Sequence, residues 1–360
     1  MSEPAVPVLS GMTQEALAEL ISPEPRFRAA QIFKWIASGV SSFDEMGNLP
    51  LSLRREFSAR YLLRPKADAT RHRGKDGTAK LAVRFADGDC IEAVLLADAS
   101  ADGAARHTAC LSTQVGCPAG CVFCKTGTMG FARNLTSAEI VEQVLLLAAE
   151  AKGEGQGSPV SNIVVMGMGE PLLNLDQLRG ALAVITDDRG MNFSRRRITV
   201  STCGVVRGIA DLADNGPAVR LALSLTTADE GLRRRLMPFT AKHPLGEVKE
   251  ALRHFQGKGG GRVTLEAALL GGINTRVKDA RDMAAFADGL DATVNLIPWN
   301  PVKGLEFEGK PLREPPPAEV EDFARRLKAL GLNVTRRFRR GRGVMGACGQ
   351  LGGCGQTFGG

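Results

Sequence analysis

The chain has 360 residues, of which 44% are hydrophobic and 24% are charged. This composition is that of a soluble globular protein, and the length predicts about two or three domains. Its 46 Lys and Arg residues exceed the 39 Asp and Glu residues, and the net charge of +7 is compatible with a polyanionic partner without requiring one. The absence of an apolar run of helical membrane-spanning length and of a signal-like start predicts a cytoplasmic protein with no membrane partner.

The first part of the chain carries apolar residues at the helical spacing of three and four, in segments 12–20, 26–38 and 51–61. These segments predict a small N-terminal helical accessory domain over residues 1–72. The runs KLAVRF and CIEAVLL then flank the tight turn Asp87-Gly88-Asp89. They predict a β-hairpin that bridges to the next domain within residues 73–104.

After residue 105 the sequence alternates strand-like and helix-like segments. The predicted strands are 108–115, 162–166, 197–202, 219–225, 262–270 and 293–298. The predicted helices are 137–151, 175–185, 205–214, 245–255, 277–290 and 318–330. This alternation predicts an α/β fold whose core is a partial (β/α)6 TIM-like barrel over residues 105–340. In such barrels the chemistry lies in the loops at the carboxyl ends of the strands.

Three cysteines, Cys117, Cys121 and Cys124, form a C-x3-C-x2-C spacing in the loop after the first barrel strand. Eight cysteines in this length are too sparse for a disulfide scaffold, so metal binding or catalysis is the better interpretation. Three sulfurs leave one metal position open, which suits catalysis rather than a structural site. The alternative is a zinc site completed by His107 or a distant cysteine. Cys90 and Cys203 are interpreted as small buried residues.

Residues 110–144, CLSTQVGCPAGCVFCKTGTMGFARNLTSAEIVEQV, resemble the signature of the radical S-adenosylmethionine (SAM) enzymes. More narrowly, they are similar to the adenine-C2 methyltransferases of ribosomal and transfer RNA, the RlmN type, and the similarity extends from about residue 92 to residue 351. The resemblance implies a radical SAM barrel and one 4Fe-4S cluster held by the three cysteines. The fourth iron of such a cluster chelates the amino and carboxylate groups of SAM.

The segment MGMGEP, residues 166–171, is similar to the turn that binds the SAM amine in this family. Glycines let the backbone approach a ligand, and the Glu170 carboxylate can accept from an ammonium group. The family usually has His where this chain has Thr226 and often has Ser where it has Cys203. The SAM contacts that the resemblance implies are Gly169, Glu170, Ser201, Ser224, Leu225, Thr226 and Asn300.

Methylation of adenine C2 needs more than a simple transfer, because this electrophilic carbon does not attack the methyl group of SAM. The family uses two SAM molecules per turnover and carries the methyl group on a cysteine. The resemblance implies that Cys348, in GACGQL, is the methyl carrier, that Cys110 is the resolving cysteine and that Glu92 takes up a proton. The alternative for Glu92 is a solvated strand residue. Cys354 has no assigned counterpart.

The last residues form a basic strand followed by a Gly-rich tail, 341–360, which is flexible by composition and carries Cys348. This tail must fold back over the barrel mouth to bring Cys348 near Cys110. The basic cluster beside it predicts a clamp for RNA phosphates, with a solvated edge strand as the alternative. Its members are Arg336, Arg337, Arg339, Arg340 and Arg342.

The resemblance implies 23S rRNA as the substrate, with tRNA as a possible second substrate. It also implies an electron donor such as flavodoxin or ferredoxin, and a monomeric enzyme. Two alternatives remain: methylation of adenine C8 by a related enzyme, and a non-catalytic RNA-binding protein with a structural metal site. The motifs IPWNP and GACGQL favour C2.

Overall fold

The computed structural model describes residues 6–99, 105–153, 160–336 and 340–354. In these ranges the α-helices are α1 (Gln14–Leu20), α2 (Arg26–Ser38), α3 (Leu51–Arg60), α4 (Ser137–Gly153), α5 (Leu175–Thr186), α6 (Val206–Asn215), α7 (Glu230–Leu236), α8 (Leu245–Phe255), α9 (Val277–Ala287) and α10 (Pro317–Ala329). None of the helices in the described ranges is long and apolar enough to cross a membrane.

The strands of the same ranges are β1 (Ala67–Arg73), β2 (Ala79–Phe85), β3 (Cys90–Ala99), β4 (Ala105–Cys110), β5 (Gln114–Gly116), β6 (Phe131–Asn134), β7 (Val160–Val165), β8 (Ile198–Thr202), β9 (Arg220–Ser224), β10 (Val263–Leu269), β11 (Ala292–Pro298), β12 (Glu306–Phe307), β13 (Lys310–Pro311) and β14 (Val334–Arg336). Strand β9 has three consecutive buried residues, as expected for a parallel strand covered on both faces.

The N-terminal helices α1 to α3 form a small helical region with apolar contacts between its elements. Helix α2 ends at Gly39, whose φ of 90° a glycine adopts readily. The ring of Phe57 packs edge-to-face against Phe43 and Tyr61, with centroids 6.1 and 5.6 Å apart. The buried side of α2, spaced by three and four, consists of Ala29, Ile32, Phe33 and Ile36. The three predicted helices are confirmed, with ends within two residues.

A ten-stranded sheet runs through the described chain in the order β1-β2-β3-β4-β7-β8-β9-β10-β11-β14. Strands β1 to β4 are antiparallel, whereas each neighbouring pair from β4 to β14 is parallel. The predicted α/β fold and the partial barrel are confirmed: β4 and β7 to β11 correspond to the six predicted strands, and β14 adds a seventh parallel strand. The six predicted barrel helices are also present, with ends within three residues.

Three local features differ from the prediction. The expected strand 108–115 is two strands, because the chain leaves the main sheet after Cys110 and β5 pairs with β6 instead. Helix α7 lies in a segment for which no helix or strand is predicted. Strand β3 pairs with β4, so the predicted hairpin continues the barrel sheet, and the proposed boundary at residue 72 falls inside β1. Residues 100–104, on the other proposed boundary, lie outside the described residues.

Candidate active site

The three clustered cysteines occupy the loop after β5 and line one cavity at the carboxyl ends of the barrel strands. The Cys117 N–H donates to the Gly130 carbonyl at 2.7 Å, and the Val122 N–H donates to the Leu236 carbonyl at 3.0 Å. Gly116 has a φ of 73°, and a Cβ there would lie 2.0 Å from the Gly130 oxygen. The loop is therefore held by its backbone, and its cysteine side chains are left to face the cavity.

Burial raises the pKa of the Cys117 thiol to about 12 and also raises the pKa values of Cys121 and Cys124. These thiols are neutral near pH 7 until a metal displaces their protons. Within the described ranges, no three His, Cys, Asp or Glu side chains are placed to hold a single metal ion. His107, considered above as a zinc ligand, does not line this cavity. Three cysteine side chains on one cavity fit a cluster whose thiolates bind separate irons.

The turn after β7 packs tightly against the loop that follows β4. Gly169 has a φ of 105°, and a Cβ there would lie 2.7 Å from the Gln114 Cβ, so only glycine fits. Glu170 is 3% exposed and lines the cavity. Its carboxylate accepts N–H groups from Leu172 at 3.1 Å and Cys203 at 2.7 Å. Burial raises the pKa of Glu170, which marks a carboxylate that a bound cation would stabilise.

Polar groups at the ends of later strands line the same cavity. The Ser201 and Ser224 hydroxyls are 3.1 Å apart. Thr226 has a φ of 59°, a strained conformation for a β-branched residue, and its N–H donates to the Glu266 carbonyl. Asn300 is 5% exposed, and its Oδ1 has no hydrogen-bond partner among the described residues. A donor from a bound ligand would satisfy this oxygen, so the cavity fits SAM.

Among the predicted SAM contacts, Leu225 alone does not line the cavity. Its side chain is fully buried, and its carbonyl accepts from the Arg233 guanidinium. Two other cavity residues, Glu266 and Trp299, were not predicted. The Trp299 indole N–H donates to the Phe123 carbonyl at 2.8 Å, which fixes the cysteine loop. Trp299 directly follows β11, and this strand-end position is a signal that sequence reasoning could have used, whereas Glu266 lies in the middle of β10.

The structure brings the two remote cysteines to one second cavity, lined by Cys110 at the end of β4 and by Cys348 in the tail. Cys348 also lines the cavity of the clustered cysteines, as does Asn300. The Asn300 Nδ2 donates to the Cys348 carbonyl at 3.1 Å. Cys348 thus places a sulfur of the tail where the two cavities meet, and Leu351 of the tail also lines both cavities.

The described part of the tail, residues 341–354, lies against the barrel mouth. The Lys125 N–H donates to the Gly349 carbonyl at 2.8 Å, and the Thr126 hydroxyl donates to the Leu351 carbonyl at 2.6 Å. Composition predicted a flexible tail, and these hydrogen bonds hold its described part in place. Residues 355–360 lie outside the described residues.

Glu92 lines neither cavity and lies under the tail. It is 1% exposed, so the alternative of a solvated strand residue is wrong. Its carboxylate forms an ion pair with Lys80 at 2.9 Å and accepts the Gly352 N–H at 2.7 Å. Sequence reasoning missed Lys80, although Lys80 in β2 and Glu92 in β3 are charged residues with apolar neighbours on both sides in adjacent strands.

The interpretation of Cys90 as a small buried residue is wrong. Cys90 is half-buried at the start of β3 and forms a disulfide with Cys354 of the tail. Neither residue was expected to have a partner, because the two cysteines are 264 positions apart in sequence. Cys203, by contrast, is 5% exposed, as expected for a packed cysteine.

Two members of the basic cluster, Arg336 and Arg340, line the cavity that holds Cys110 and Cys348. Arg342 pairs instead with Glu314 at 2.9 Å. Arg337 and Arg339 lie outside the described residues. Positive charge therefore borders the second cavity, where a nucleic-acid phosphate would be attracted.

Three cysteines in a loop of a partial barrel line a cavity whose polar groups fit SAM, and this combination is typical of a radical SAM enzyme. The family model of the radical SAM superfamily matches residues 111–285, and that of the ribosomal RNA large subunit methyltransferase N-terminal domain matches residues 8–62. The enzyme class requires a 4Fe-4S cluster and SAM.

Full-length relatives narrow the class. A probable dual-specificity RNA methyltransferase RlmN from Treponema denticola is 50% identical over 96% of this chain and 95% of its own length. The dual-specificity RNA methyltransferase RlmN of Lawsonia intracellularis is 40% identical over 94% and 93%. A crystal structure of a radical SAM methyltransferase from Sphaerobacter thermophilus, 38% identical, covers 96% of this chain and 99% of its own, with a TM-score of 0.88. The chain belongs to the RlmN family of RNA methyltransferases.

Proposed function

We propose that this enzyme methylates C2 of an adenine in 23S rRNA and in tRNA through an S-methylcysteine intermediate on Cys348. The observation that supports it is the position of Cys348, which lines both the cavity of the cluster cysteines and the cavity of Cys110. A methyl carrier must meet SAM on one side and the base on the other. The relatives described above are named as dual-specificity RNA methyltransferases, which supports RNA as the substrate.

The residues proposed to bind the cofactors fit them. Cys117, Cys121 and Cys124 would hold the 4Fe-4S cluster, which supplies the electron that cleaves SAM to a radical able to remove hydrogen from a methyl group. Glu170 would accept from the SAM amine. The other proposed contacts are Gly169, Ser201, Ser224, Thr226, Asn300 and the backbone of Leu225.

In the proposed cycle the Cys348 sulfur first accepts a methyl group from one SAM, and the methyl carbon is later joined to adenine C2. Before this carbon joins C2, the methyl group loses one hydrogen atom to the 5′-carbon of the second, cleaved SAM. Release then breaks the bond between the carbon and the Cys348 sulfur while a disulfide forms between Cys348 and Cys110. The two electrons from the disulfide balance the two-electron cleavage of the second SAM, C2 loses its ring proton, and the transferred carbon gains a proton. Glu92 is proposed to take up the ring proton. Because its carboxylate accepts the Gly352 N–H, this role requires the tail to move. A thiol reductant then restores both cysteines.

The base must leave its stack to reach Cys348, so the substrate is RNA with an exposed adenine. Arg336 and Arg340 would bind phosphates beside that base. We further propose that the enzyme is a cytoplasmic monomer and that flavodoxin or ferredoxin supplies its electrons.

The test is anaerobic reconstitution with iron and sulfide, followed by incubation with SAM, reductant and unmodified 23S rRNA or tRNA, and nucleoside mass spectrometry. The wild type is expected to form 2-methyladenosine, and Cys348→Ala is expected to form none while retaining its iron. Cys110→Ala is expected to methylate Cys348 but to release no product. Formation of 8-methyladenosine, or methylation that survives in Cys348→Ala, would overturn the proposal.

A further inference from the structure

Arg233, on helix α7, is the largest of the fully buried side chains in the described part of the protein, with 1% of its surface exposed. It does not line the cavity of the cluster cysteines, but Ser224, Cys203 and Met237, which it contacts, do. The guanidinium therefore lies directly behind the wall of this cavity. No step of the proposed reaction uses it.

The contacts of Arg233 satisfy only part of the guanidinium. One terminal nitrogen donates to the Ser224 carbonyl at 3.0 Å and also to the Leu225 carbonyl. The other donates to the Cys203 carbonyl at 2.6 Å. The Nε atom is buried and has no hydrogen-bond partner among the described residues. All of these acceptors are neutral, so none balances the charge.

The charge of Arg233 also has no carboxylate partner at ion-pair distance among the described residues. A guanidinium remains protonated in proteins, and burial lowers the pKa of Arg233 because it disfavours that charge. The ionisable groups whose charge acts most strongly on Arg233 are the Cys203 and Cys121 thiols, followed by Glu230. The cysteine loop is also joined to the helix of Arg233, because the Val122 N–H, next to Cys121, donates to the Leu236 carbonyl at 3.0 Å. Glu230 instead accepts the backbone N–H of Leu245. A buried cation without an anion is costly, and such charges in proteins are normally paired.

We infer that Arg233 is a positioning residue whose charge is balanced by the cluster-bound thiolates, Cys121 above all, and that it stabilises the reduced cluster. This inference rests on the cluster assignment made above. Metal binding converts neutral thiols to thiolates and so supplies the missing anion. Reduction adds one more negative charge to the cluster, and a fixed cation in a low-dielectric wall favours that state. Removal of the charge would therefore make the cluster harder to reduce.

A purely structural role gives a different expectation. If Arg233 only capped the carbonyl groups of β8 and β9, its loss would destabilise the fold but would leave the potential of an assembled cluster unchanged. Helix α7 offers a matched control, because Arg234 follows Arg233 directly and donates on the exposed surface to the Glu230 carbonyl. The substitution Arg234→Gln removes the same charge from the same helix, but on its solvent-exposed side.

The experiment reconstitutes wild type, Arg233→Gln, Arg233→Lys and Arg234→Gln, counts iron and sulfide, and measures the midpoint potential by an EPR-monitored redox titration without RNA. For Arg233→Gln we expect the ratio of reduced to oxidised cluster at fixed potential to fall at least about tenfold, which is a shift of about 59 mV for one electron. Arg233→Lys and Arg234→Gln should stay close to wild type. Loss of the cluster from a folded Arg233→Gln, with Arg233→Lys loaded normally, would also support the inference.

An unchanged potential in loaded Arg233→Gln would overturn the inference, as would equal shifts in the Gln and Lys variants. If Arg233→Gln does not fold, the pH dependence of Arg233→Lys decides, because a buried lysine can lose its charge as the pH rises whereas an arginine cannot. A potential that falls below that of wild type at high pH supports an electrostatic role, and a potential that follows wild type at every pH contradicts it. A wild type that binds no cluster would instead defeat the proposed function itself. The titration needs no RNA product, so the two failures are distinct.

Discussion

The buried ion pair under the tail gives the sharpest energetic prediction. Lys80 and Glu92 are each 1% exposed at the side chain, and Nζ lies 2.9 Å from Oε1. The substitution Lys80→Met keeps most of the aliphatic stem and removes the cation. The Glu92 carboxylate is then buried with the Gly352 N–H as its hydrogen-bond donor. Breaking one partner of a buried pair costs about 3–5 kcal/mol. The unfolding equilibrium should shift by roughly two to three orders of magnitude.

The assay is urea unfolding followed by circular dichroism, with wild type, Lys80→Met and the double variant Lys80→Met/Glu92→Leu. The double variant should recover most of the lost stability, because apolar side chains often replace a buried ion pair at little cost. Arg60→Met is the control, since the Arg60–Glu56 pair is 53% and 51% exposed and should contribute less than about 1 kcal/mol. A Lys80→Met variant as stable as Arg60→Met would refute the reasoning.

Two further predictions concern the tail and the SAM turn. Non-reducing peptide mass spectrometry of the oxidised protein should show the Cys90–Cys354 disulfide. If this disulfide holds the tail against the barrel, Cys354→Ser should speed hydrogen exchange in residues 341–354 but not in α2. Unchanged exchange in the tail would contradict this role of the disulfide. Gly169→Ala places a Cβ 2.7 Å from Gln114 and should weaken SAM binding about tenfold or more by calorimetry. Gly246→Ala, where a Cβ meets no atom within 4 Å, is its control, and equal affinities in the two variants would be incompatible with the proposed cradle.

Regular elements of the barrel could be predicted because each has its own apolar period. Helix α8, for example, was placed at both of its ends. Helix α7 was missed because its seven residues include three consecutive arginines, a run that resembles a solvated loop. The break between β4 and β5 was missed because the apolar pattern continues through it, and hydrogen bonds from Leu111 and Thr113 to the chain around β7 decide where the strand ends.

At the site, local motifs located the cysteine loop and the glycine turn, since each lies within a few residues and needs a particular backbone. The positions of Cys110 and Cys348 came only from resemblance, because the contact between the tail and the barrel depends on the whole fold. The partner of Cys90 was missed for the same reason. No periodicity within a strand records which distant residue will cover it.

The two buried cations, Lys80 and Arg233, show the physical reason for this limit of sequence-based prediction. Lys80 and Glu92 could have been paired from the hairpin alone, because Lys80 is opposite Val94 and Ala82 is opposite Glu92, which puts both charges on one face as diagonal neighbours. Arg233 could not. No carboxylate among the described residues forms an ion pair with Arg233. On our inference, its counter-charge forms only when the cysteine thiols become thiolates on a metal cluster. In the sequence, an arginine whose charge is balanced by a cofactor cannot be distinguished from a surface arginine. In the structure, the burial of such an arginine beside the proposed cluster cysteines indicates that the site binds a charged group.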